Sequence, residues 1–366
     1  MLDQHRVNLL NFDLAGMSDW LASLGEPRFR ARQVIQWIHQ HQVIDIDAMT
    51  NLSLSLRERI KAQAHLLAPE IASEQNASDG CIKWLMRTTD GMAVETVYIP
   101  ERTRATLCIS SQVGCALNCS FCATGKAGFN RNLSTAEIIG QLWQANARLK
   151  ALGKPTITNV VMMGMGEPLL NYDALIPALR LMLDDYAYGL SKYRVTVSTS
   201  GVLPMMQRLK DDVPVALAIS LHAADDSLRN ILVPLNKKYP LDQLIPAAAH
   251  YFNGQSRRVV TFEYVMIDGV TDGRDNARAL IALLKNVPCK MNLIPFNPFA
   301  GTDYQCSSAD EIERFRLELT QAGIQSFTRK TRGDQVAGAC GQLAGAFKDR
   351  TGRAQRLQRK ASETIS

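Results

Sequence analysis

The chain has 366 residues, 46% of them hydrophobic, and a net charge of +6. This length suggests about two domains. No apolar run reaches 18 residues, and the N-terminus lacks the apolar core of a secretory signal, so we expect neither a membrane span nor export. Eight cysteines in such a chain favour the reducing cytoplasm and a metal-binding or catalytic role over a disulfide scaffold.

Residues 1–67 are predicted to form a helical accessory domain. Its first helix is expected over 19–24, because Ser18 can accept a hydrogen bond at the helix start. Apolar residues at helical spacing predict two further helices, over 28–42 and 54–65.

Residues 68–103 change to a strand pattern and are predicted to form a β-hairpin extension. The strands 81–86 and 94–99 flank the turn sequence Asp90-Gly91. Glu95 lies on the second strand, where the pattern alone predicts an outward-facing side chain.

From residue 104 to 346, strands and helices alternate, which predicts a parallel sheet with right-handed crossovers. The predicted strands cover 106–110, 159–163, 194–198, 215–221, 259–266 and 291–296. The helices predicted between them include 135–151, 172–183 and 274–286. Six such units indicate an α/β fold with an open, partial (βα)6 barrel.

Polar motifs follow the predicted strands, where parallel α/β folds place their chemistry. The segment 115–122 follows the first strand, and 164–168 follows the second. Ser198 ends the third strand, the segment 220–222 lies at the end of the fourth, and Asn297 comes directly after the sixth. The sequence therefore predicts one site at this edge of the sheet.

Cys115, Cys119 and Cys122 have the spacing C-x3-C-x2-C. Thiolates are typical ligands of iron–sulfur clusters and zinc. Three close thiols can hold three corners of a [4Fe–4S] cluster and leave one iron open, whereas electron-transfer clusters normally have four cysteine ligands. A structural zinc site also needs four ligands. Cys108 could complete such a site, so zinc stays as the alternative.

The triplet resembles that of the radical S-adenosylmethionine (SAM) enzymes. The wider pattern resembles the RlmN/Cfr family, which methylates adenosine in RNA, and is most similar to its RlmN branch over residues 15–345. The further segments that carry this resemblance are ATGKAGFNRNLS at 123–134, GMGEP at 164–168, SLH at 220–222 and RGDQVAGACG at 332–341.

The resemblance implies a radical SAM barrel with a [4Fe–4S] cluster on the cysteine triplet and SAM as cofactors. It implies that Cys340 carries a methyl group as S-methylcysteine, that Cys108 releases the product through a transient disulfide, and that Glu95 accepts a proton. Without it, Cys108 and Cys340 would be interpreted as buried structural thiols. The SAM-site residues that it implies are Gly166, Glu167, Ser198, Ser220, Leu221, His222 and Asn297.

The chemistry explains the need for a protein thiolate. C2 of adenine is electron-poor and cannot attack the methyl group of SAM, whereas a thiolate can. In the implied scheme a first SAM methylates Cys340. Reductive cleavage of a second SAM gives a radical that takes hydrogen from this methyl, and the carbon then adds to the ring.

The implied partners are 23S rRNA and tRNA, with the adenosine outside its stack, and an electron donor such as flavodoxin with its reductase. A monomer without membrane contact is expected. A flexible basic tail is predicted over 347–366, which either attracts RNA phosphates or is a solvated terminus. Other candidates for RNA contacts are Lys126, Arg131, Arg329, Lys330 and Arg332.

Three alternatives stay open at this point. C8 methylation, as in the Cfr branch, is one, because the spacing does not determine which carbon is attacked. A radical SAM enzyme that does not use Cys340 would contain no methylated cysteine. A zinc-stabilised RNA-binding module would be colourless, whereas a brown protein with about four irons per chain would exclude it.

Overall fold

The computed structural model describes residues 6–252 and 258–356. Its strands are β1 (Val7–Asn8), β2 (Ala64–His65), β3 (Glu70–Asn76), β4 (Ile82–Arg87), β5 (Ala93–Pro100), β6 (Ala105–Cys108), β7 (Gln112–Gly114), β8 (Phe129–Asn132), β9 (Asn159–Met162), β10 (Val195–Thr199), β11 (Ala216–Ser220), β12 (Val260–Met266), β13 (Cys289–Pro295) and β14 (Gln325–Thr328).

The helices connect these strands and cover the outer face of the sheet. They are α1 (Leu14–Ser23), α2 (Phe29–His39), α3 (Leu54–Gln63), α4 (Ala123–Ala127), α5 (Thr135–Ala151), α6 (Tyr172–Leu183), α7 (Leu203–Asp212), α8 (Asp226–Leu232), α9 (Leu241–His250), α10 (Arg274–Leu284) and α11 (Ala309–Gln321). Among the residues described, no helix is both long and apolar enough to cross a bilayer.

A ten-stranded sheet with the order β14-β13-β12-β11-β10-β9-β6-β5-β4-β3 organises the molecule. The strands from β14 to β6 in this order pair in parallel, which gives the predicted partial barrel. The six predicted strands are all present. β14 is a seventh parallel strand that the sequence analysis missed, because its residues Gln-Ser-Phe-Thr lack an apolar run.

The predicted hairpin is confirmed as β4 and β5, and it is part of the main sheet. β5 pairs antiparallel with β6, the first barrel strand, and β3 adds a further antiparallel strand outside β4. The expectation that Glu95 faces outward is wrong. Its side chain is buried, because the C-terminal segment crosses this face and Ala346 pairs with Ala93 of β5.

The N-terminal helices pack on the barrel helix α5. Trp143 of α5 donates its indole N–H to the carbonyl of Ile38 at 2.8 Å, and the backbone N–H of Ala136 donates to Asn11 at 2.8 Å. Buried side chains of both parts form one hydrophobic core. The accessory helices therefore have a fixed position against the barrel.

The first helix starts earlier than predicted. Asp13, and not Ser18, caps it, with Asp13 Oδ1 accepting the backbone N–H of Gly16 at 2.8 Å. Ser18 lies inside α1 and donates its hydroxyl to the carbonyl of Leu14 at 2.7 Å. Asp and Ser are comparable as caps, and the helix here begins at the earlier one.

The flexible tail predicted from residue 347 is wrong for its first part. Asp349 accepts the N–H of Phe129 in β8, and Arg353 donates to a carbonyl of the loop that carries the cysteine triplet. The remaining residues of this prediction, 357–366, lie outside the described residues.

Candidate active site

A cavity of about 150 Å³ lies at the carboxyl ends of the parallel strands. Cys115, Cys119 and Cys122 line it from one side, and Cys340 and Gly341 line it from the C-terminal segment. Strand ends supply the remaining polar wall, with Gly166, Glu167, Ser198, Ser220, His222 and Asn297. Residues distant in the sequence therefore meet at this edge of the barrel.

The three thiols belong to the cysteine loop, residues 115–122, between β7 and α4. Burial raises the pKa of all three thiols, to about 12 for Cys119, and repulsion between their thiolates raises the pKa of Cys115 further. Deprotonating them together requires a bound positive charge, as a metal centre supplies. The donor set therefore fits a metal centre and not a set of free nucleophiles.

A structural zinc ion needs a fourth protein ligand beside the triplet. Cys108, the fourth ligand considered for zinc, lines a different cavity from the triplet. A zinc site made of the triplet and Cys108 therefore does not fit this arrangement.

Two glycines bring the segment 164–168 against the start of the cysteine loop. Gly166 has φ +101°, and a Cβ there would lie 2.5 Å from Cβ of Gln112. At Gly164, a Cβ would lie 2.6 Å from the carbonyl oxygen of Ile109. The carbonyl of Met165, between them, accepts the N–H of Ser111 at 2.8 Å. Only glycine permits this approach at both positions.

Glu167 is a buried carboxylate, 3% exposed, at the cavity wall. Its Oε2 accepts the N–H of Ser200 at 2.8 Å, and its Oε1 accepts the N–H of Leu169 at 3.2 Å. Burial raises the pKa of Glu167 to about 7, although these hydrogen bonds oppose the shift. Such a carboxylate is stabilised by an incoming cation.

His222 has a left-handed backbone conformation, with φ 62°. Its Nδ1 accepts the N–H of Val265 at 3.1 Å, so Nε2 carries the proton of the neutral ring. Burial lowers the pKa of His222 to about 3, which keeps the ring neutral at physiological pH. The ring centre lies 4.4 Å from that of Phe121 in the cysteine loop. His222 thus offers one N–H donor and supports the loop.

Leu221 is the one residue of the implied SAM site that does not line this cavity. Its side chain is fully buried, and its carbonyl accepts the Nε–H of Arg229 at 2.9 Å. The residue is part of the wall behind the cavity.

Arg229 is a residue that the sequence analysis missed. Its guanidinium is fully buried and donates to the carbonyls of Ser200 and Ser220, besides that of Leu221, and to Oδ1 of Asn236 at 2.6 Å. Burial lowers the pKa of Arg229 to about 10, so the group stays charged. It joins the ends of β10 and β11. An arginine on a short helix gives no local signal for this position.

A second cavity of about 620 Å³ runs along the barrel interior. Cys108 and Cys340 both line it, and Cys340 lines the smaller cavity as well. Burial raises the pKa of Cys108 to about 12. The carbonyl of Cys340 accepts the amide N–H of Asn297 at 3.0 Å. All eight cysteines are free, including this pair.

Arg329 lies beside this cysteine pair and also lines both cavities. Its Nη1 is 3.8 Å from Oε2 of Glu263. The charge of a Cys340 thiolate is the main cause that raises the pKa of Arg329, with Glu263 also contributing. Two other basic candidates have carboxylate partners, Asp90 and Glu137 for Arg131 and Asp79 for Arg332.

Glu95 lies outside the walls of both cavities. Its Oε2 accepts the N–H groups of Ala344 at 2.7 Å and of Gly345 at 3.3 Å. Its Oε1 is 2.8 Å from Nζ of Lys83. The carboxylate is therefore held beneath the segment that follows Cys340.

Two segments of the chain match known protein families, and most of the chain resembles a solved structure. Residues 7–66 match the ribosomal RNA large subunit methyltransferase N-terminal domain, and residues 109–281 match the radical SAM superfamily. A radical SAM methyltransferase from Sphaerobacter thermophilus is 43% identical, with a TM-score of 0.86 over 92% of this chain and 99% of that chain. SuiB from Streptococcus suis, bound to SAM, is 14% identical over 60% of this chain and 49% of that chain, with a TM-score of 0.45.

The similarity to the Sphaerobacter enzyme spans the accessory helices, the hairpin extension and the barrel. Radical SAM enzymes contain a [4Fe–4S] cluster and use SAM, and the cysteine loop at the carboxyl edge of the barrel fits this cofactor pair. The chain thus belongs to the radical SAM methyltransferases and carries an RlmN-type N-terminal domain.

Proposed function

We propose that the chain methylates C2 of adenosine in 23S rRNA and in tRNA, with Cys340 as the methyl carrier. The position of Cys340 carries this proposal. Its side chain lies where the small cavity of the cysteine triplet meets the large cavity that contains Cys108. The N-terminal match to a ribosomal RNA methyltransferase domain supports RNA as the substrate.

In this proposal Cys115, Cys119 and Cys122 hold the cluster. When bound, the cluster and SAM supply the methyl group for Cys340 and, by one-electron cleavage of a second SAM, a 5′-deoxyadenosyl radical. The match of residues 109–281 to the radical SAM superfamily supports a cluster over a single zinc ion.

The polar strand ends are proposed to hold SAM. Glu167 accepts hydrogen bonds from the amino group of SAM, whose positive charge favours ionised Glu167 over the neutral acid. His222 donates from Nε2, which its bond to Val265 leaves protonated. Ser198, Ser220 and Asn297 provide donors and acceptors for the ribose, carboxylate and adenine. Gly166 lines the cavity, and its lack of a Cβ lets the backbone pack against Gln112. Leu221 is proposed to support the site as part of the wall behind the cavity.

Cys340 is proposed to attack the methyl group of SAM, because the electron-poor C2 of adenine cannot do so. Arg329 lines the same two cavities and places a positive charge near this sulfur. The side-chain amide of Asn297 donates to the backbone carbonyl of Cys340 and so holds this backbone in place. The methyl carbon on this sulfur can then meet a base that enters from the 620 Å³ cavity.

Two residues complete the reaction. Once the carbon radical has added to the ring, the adduct would return one electron to the cluster. Glu95 is proposed to accept the proton that the ring loses, while Lys83 balances its charge. The segment 344–345 separates Glu95 from the cavity, so those two hydrogen bonds must open for this step. Cys108 then attacks the sulfur of Cys340 and breaks its bond to the methylene carbon, which takes up a proton. This frees the methylated RNA and leaves a disulfide for external reduction. A flavodoxin with its reductase is the proposed electron donor, and the chain is proposed to act as a monomer.

An anaerobic assay with SAM, a reductant and an rRNA fragment tests these roles. Cys340→Ala is expected to bind iron and to methylate no RNA. Cys108→Ala is expected to accumulate RNA attached covalently to the protein, because no thiol attacks the sulfur. Cys289→Ala is the control, since this half-buried thiol lines neither cavity. Normal turnover by Cys340→Ala would refute the methyl-carrier role.

The same assay determines the carbon that is methylated. Mass spectrometry of the nucleoside identifies one added methyl group, and NMR distinguishes C2 from C8. Methylation at C8 would replace the proposed reaction by that of the Cfr branch.

A further inference from the structure

The segment that follows Cys340 forms a strap, residues 341–354, over the face of the molecule that carries the site. It first covers Glu95 and pairs with β5, where Ala346 bonds Ala93. It then runs along β8, with the N–H of Arg350 donating to the carbonyl of Phe129 at 2.9 Å. The strap therefore connects Cys340 with the surroundings of the cysteine loop.

Asp349 fastens the strap where it turns. Its Oδ1 accepts the N–H groups of Phe129 at 3.1 Å and Thr351 at 2.7 Å, and its Oδ2 accepts that of Ala354 at 3.0 Å. Gly128, with φ +98°, makes room for this carboxylate, because a Cβ there would collide with it. The turn places Arg353 beneath the cysteine loop.

Arg353 donates to four backbone carbonyls near the cysteines. Its Nη1 lies 3.0 Å from the carbonyl oxygen of Cys115, 2.8 Å from that of Leu117 and 3.3 Å from that of Gly125. Its Nη2 lies 2.8 Å from the carbonyl oxygen of Ala116. The planar guanidinium can satisfy several converging acceptors at once, which a lysine ammonium cannot match in geometry.

We propose that Arg353 is a positioning residue that holds the cysteine loop in its ligating shape and adds a fixed positive charge beside the cluster. This inference rests on the proposed assignment of Cys115, Cys119 and Cys122 as cluster ligands. Accepting one electron makes the cluster more negative, so a nearby cation favours reduction. Loss of Arg353 therefore lowers the reduction potential and loosens the loop.

Three full-length variants, purified and reconstituted anaerobically, separate charge from geometry. Arg353→Met removes both the charge and the hydrogen-bond donors. Arg353→Lys keeps the charge but lacks the planar guanidinium that reaches several carbonyls. Arg356→Met is the matched control, because Arg356 is exposed and its side chain donates to the carbonyl of Thr351 on the strap itself. Two quantities are measured: the rate at which a strong iron chelator removes the cluster, and the midpoint potential from redox titration followed by EPR.

Arg353→Met is expected to lose iron at least tenfold faster than Arg356→Met. Its reduction is expected to be at least tenfold less favourable, which is 59 mV for a one-electron couple. Arg353→Lys is expected to keep a potential near that of the wild type and still lose iron faster. Lys retains the charge and most of the side-chain volume. If Arg353→Met does not fold, the faster iron loss expected of Arg353→Lys therefore still tests the inference.

Equal iron loss and equal potentials in all three variants would overturn this inference and leave the proposed function intact. A wild-type chain that binds no cluster would overturn both. Hydrogen exchange of the metal-free protein gives an independent readout, with faster exchange expected over 115–125 in Arg353→Met than in Arg356→Met.

Discussion

Replacing Arg229 by Met tests whether the buried guanidinium supports the floor of the site. Met replaces the stem of the arginine side chain with an unbranched apolar chain and provides no donor. The carbonyls of Ser200, Ser220 and Leu221 and the amide oxygen of Asn236 then lose the guanidinium as a donor. The carbonyl of Leu221 keeps the N–H of Ala223, so three acceptors are left without a donor. These acceptors lie at the ends of β10 and β11, directly behind the cavity.

The cost follows from the number of acceptors left without donors. A buried acceptor without a donor costs about 1–3 kcal/mol. Loss of the charged group also removes its own cost of burial, which depresses the pKa of Arg229 and offsets part of this loss. We therefore expect Arg229→Met to reduce the free energy of unfolding by about 3–5 kcal/mol.

Urea unfolding of the metal-free protein, followed by circular dichroism, measures this change. Arg278→Met is the matched control, because Arg278 is exposed and pairs with exposed Asp275, so its loss should cost under about 1 kcal/mol. A reduction below about 1 kcal/mol for Arg229→Met would show that water or the neighbouring amides replace the guanidinium, and the reasoning would be wrong.

Two further predictions concern Glu167 and Gly166. Burial raises the pKa of Glu167 from 4.5 to about 7. Between these pH values the folded protein keeps Glu167 protonated, whereas the unfolded chain has lost that proton. The metal-free protein should therefore lose up to about 3 kcal/mol of stability as the pH rises from about 4.5 to 7. Glu167→Gln should remove that share of the slope in pH-dependent urea unfolding, and an unchanged slope would contradict the shift. Gly166→Ala combines φ +101° with a collision against Gln112 and should cost more than about 2 kcal/mol in unfolding free energy. Gly153→Ala, with φ +63° and open space, should cost about 1 kcal/mol; equal costs would show that Gln112 moves away.

Much of the architecture follows from local patterns. The six predicted parallel strands and the helices α5 and α6 are present within a residue or two of their predicted bounds. These segments have strong apolar periodicity, and their burial in the sheet requires that periodicity. β14 escaped prediction because its exposed edge position permits polar residues.

Some residues of the site could likewise be located from the sequence, and others could not. The cysteine triplet could be located from its spacing, and the motif 164–168 from its position after an apolar strand and from the family resemblance, because each is a continuous segment. The residues that hold them could not. Arg229 and Arg353 resemble ordinary surface arginines in the sequence, and Arg353 contacts carbonyls more than 200 residues away along the chain.

The amino-acid sequence by itself therefore determined the order of strands and helices, the three thiols and their position at one edge of the barrel. Tertiary structure alone decided that Glu95 is buried, that Cys340 lies between two cavities, and that the segment after residue 346 folds back on the cysteine loop. The physical reason is the distance along the chain over which each kind of interaction acts. Periodicity and ligand spacing act over a few residues, whereas buried hydrogen bonds between distant segments form only once the chain has packed.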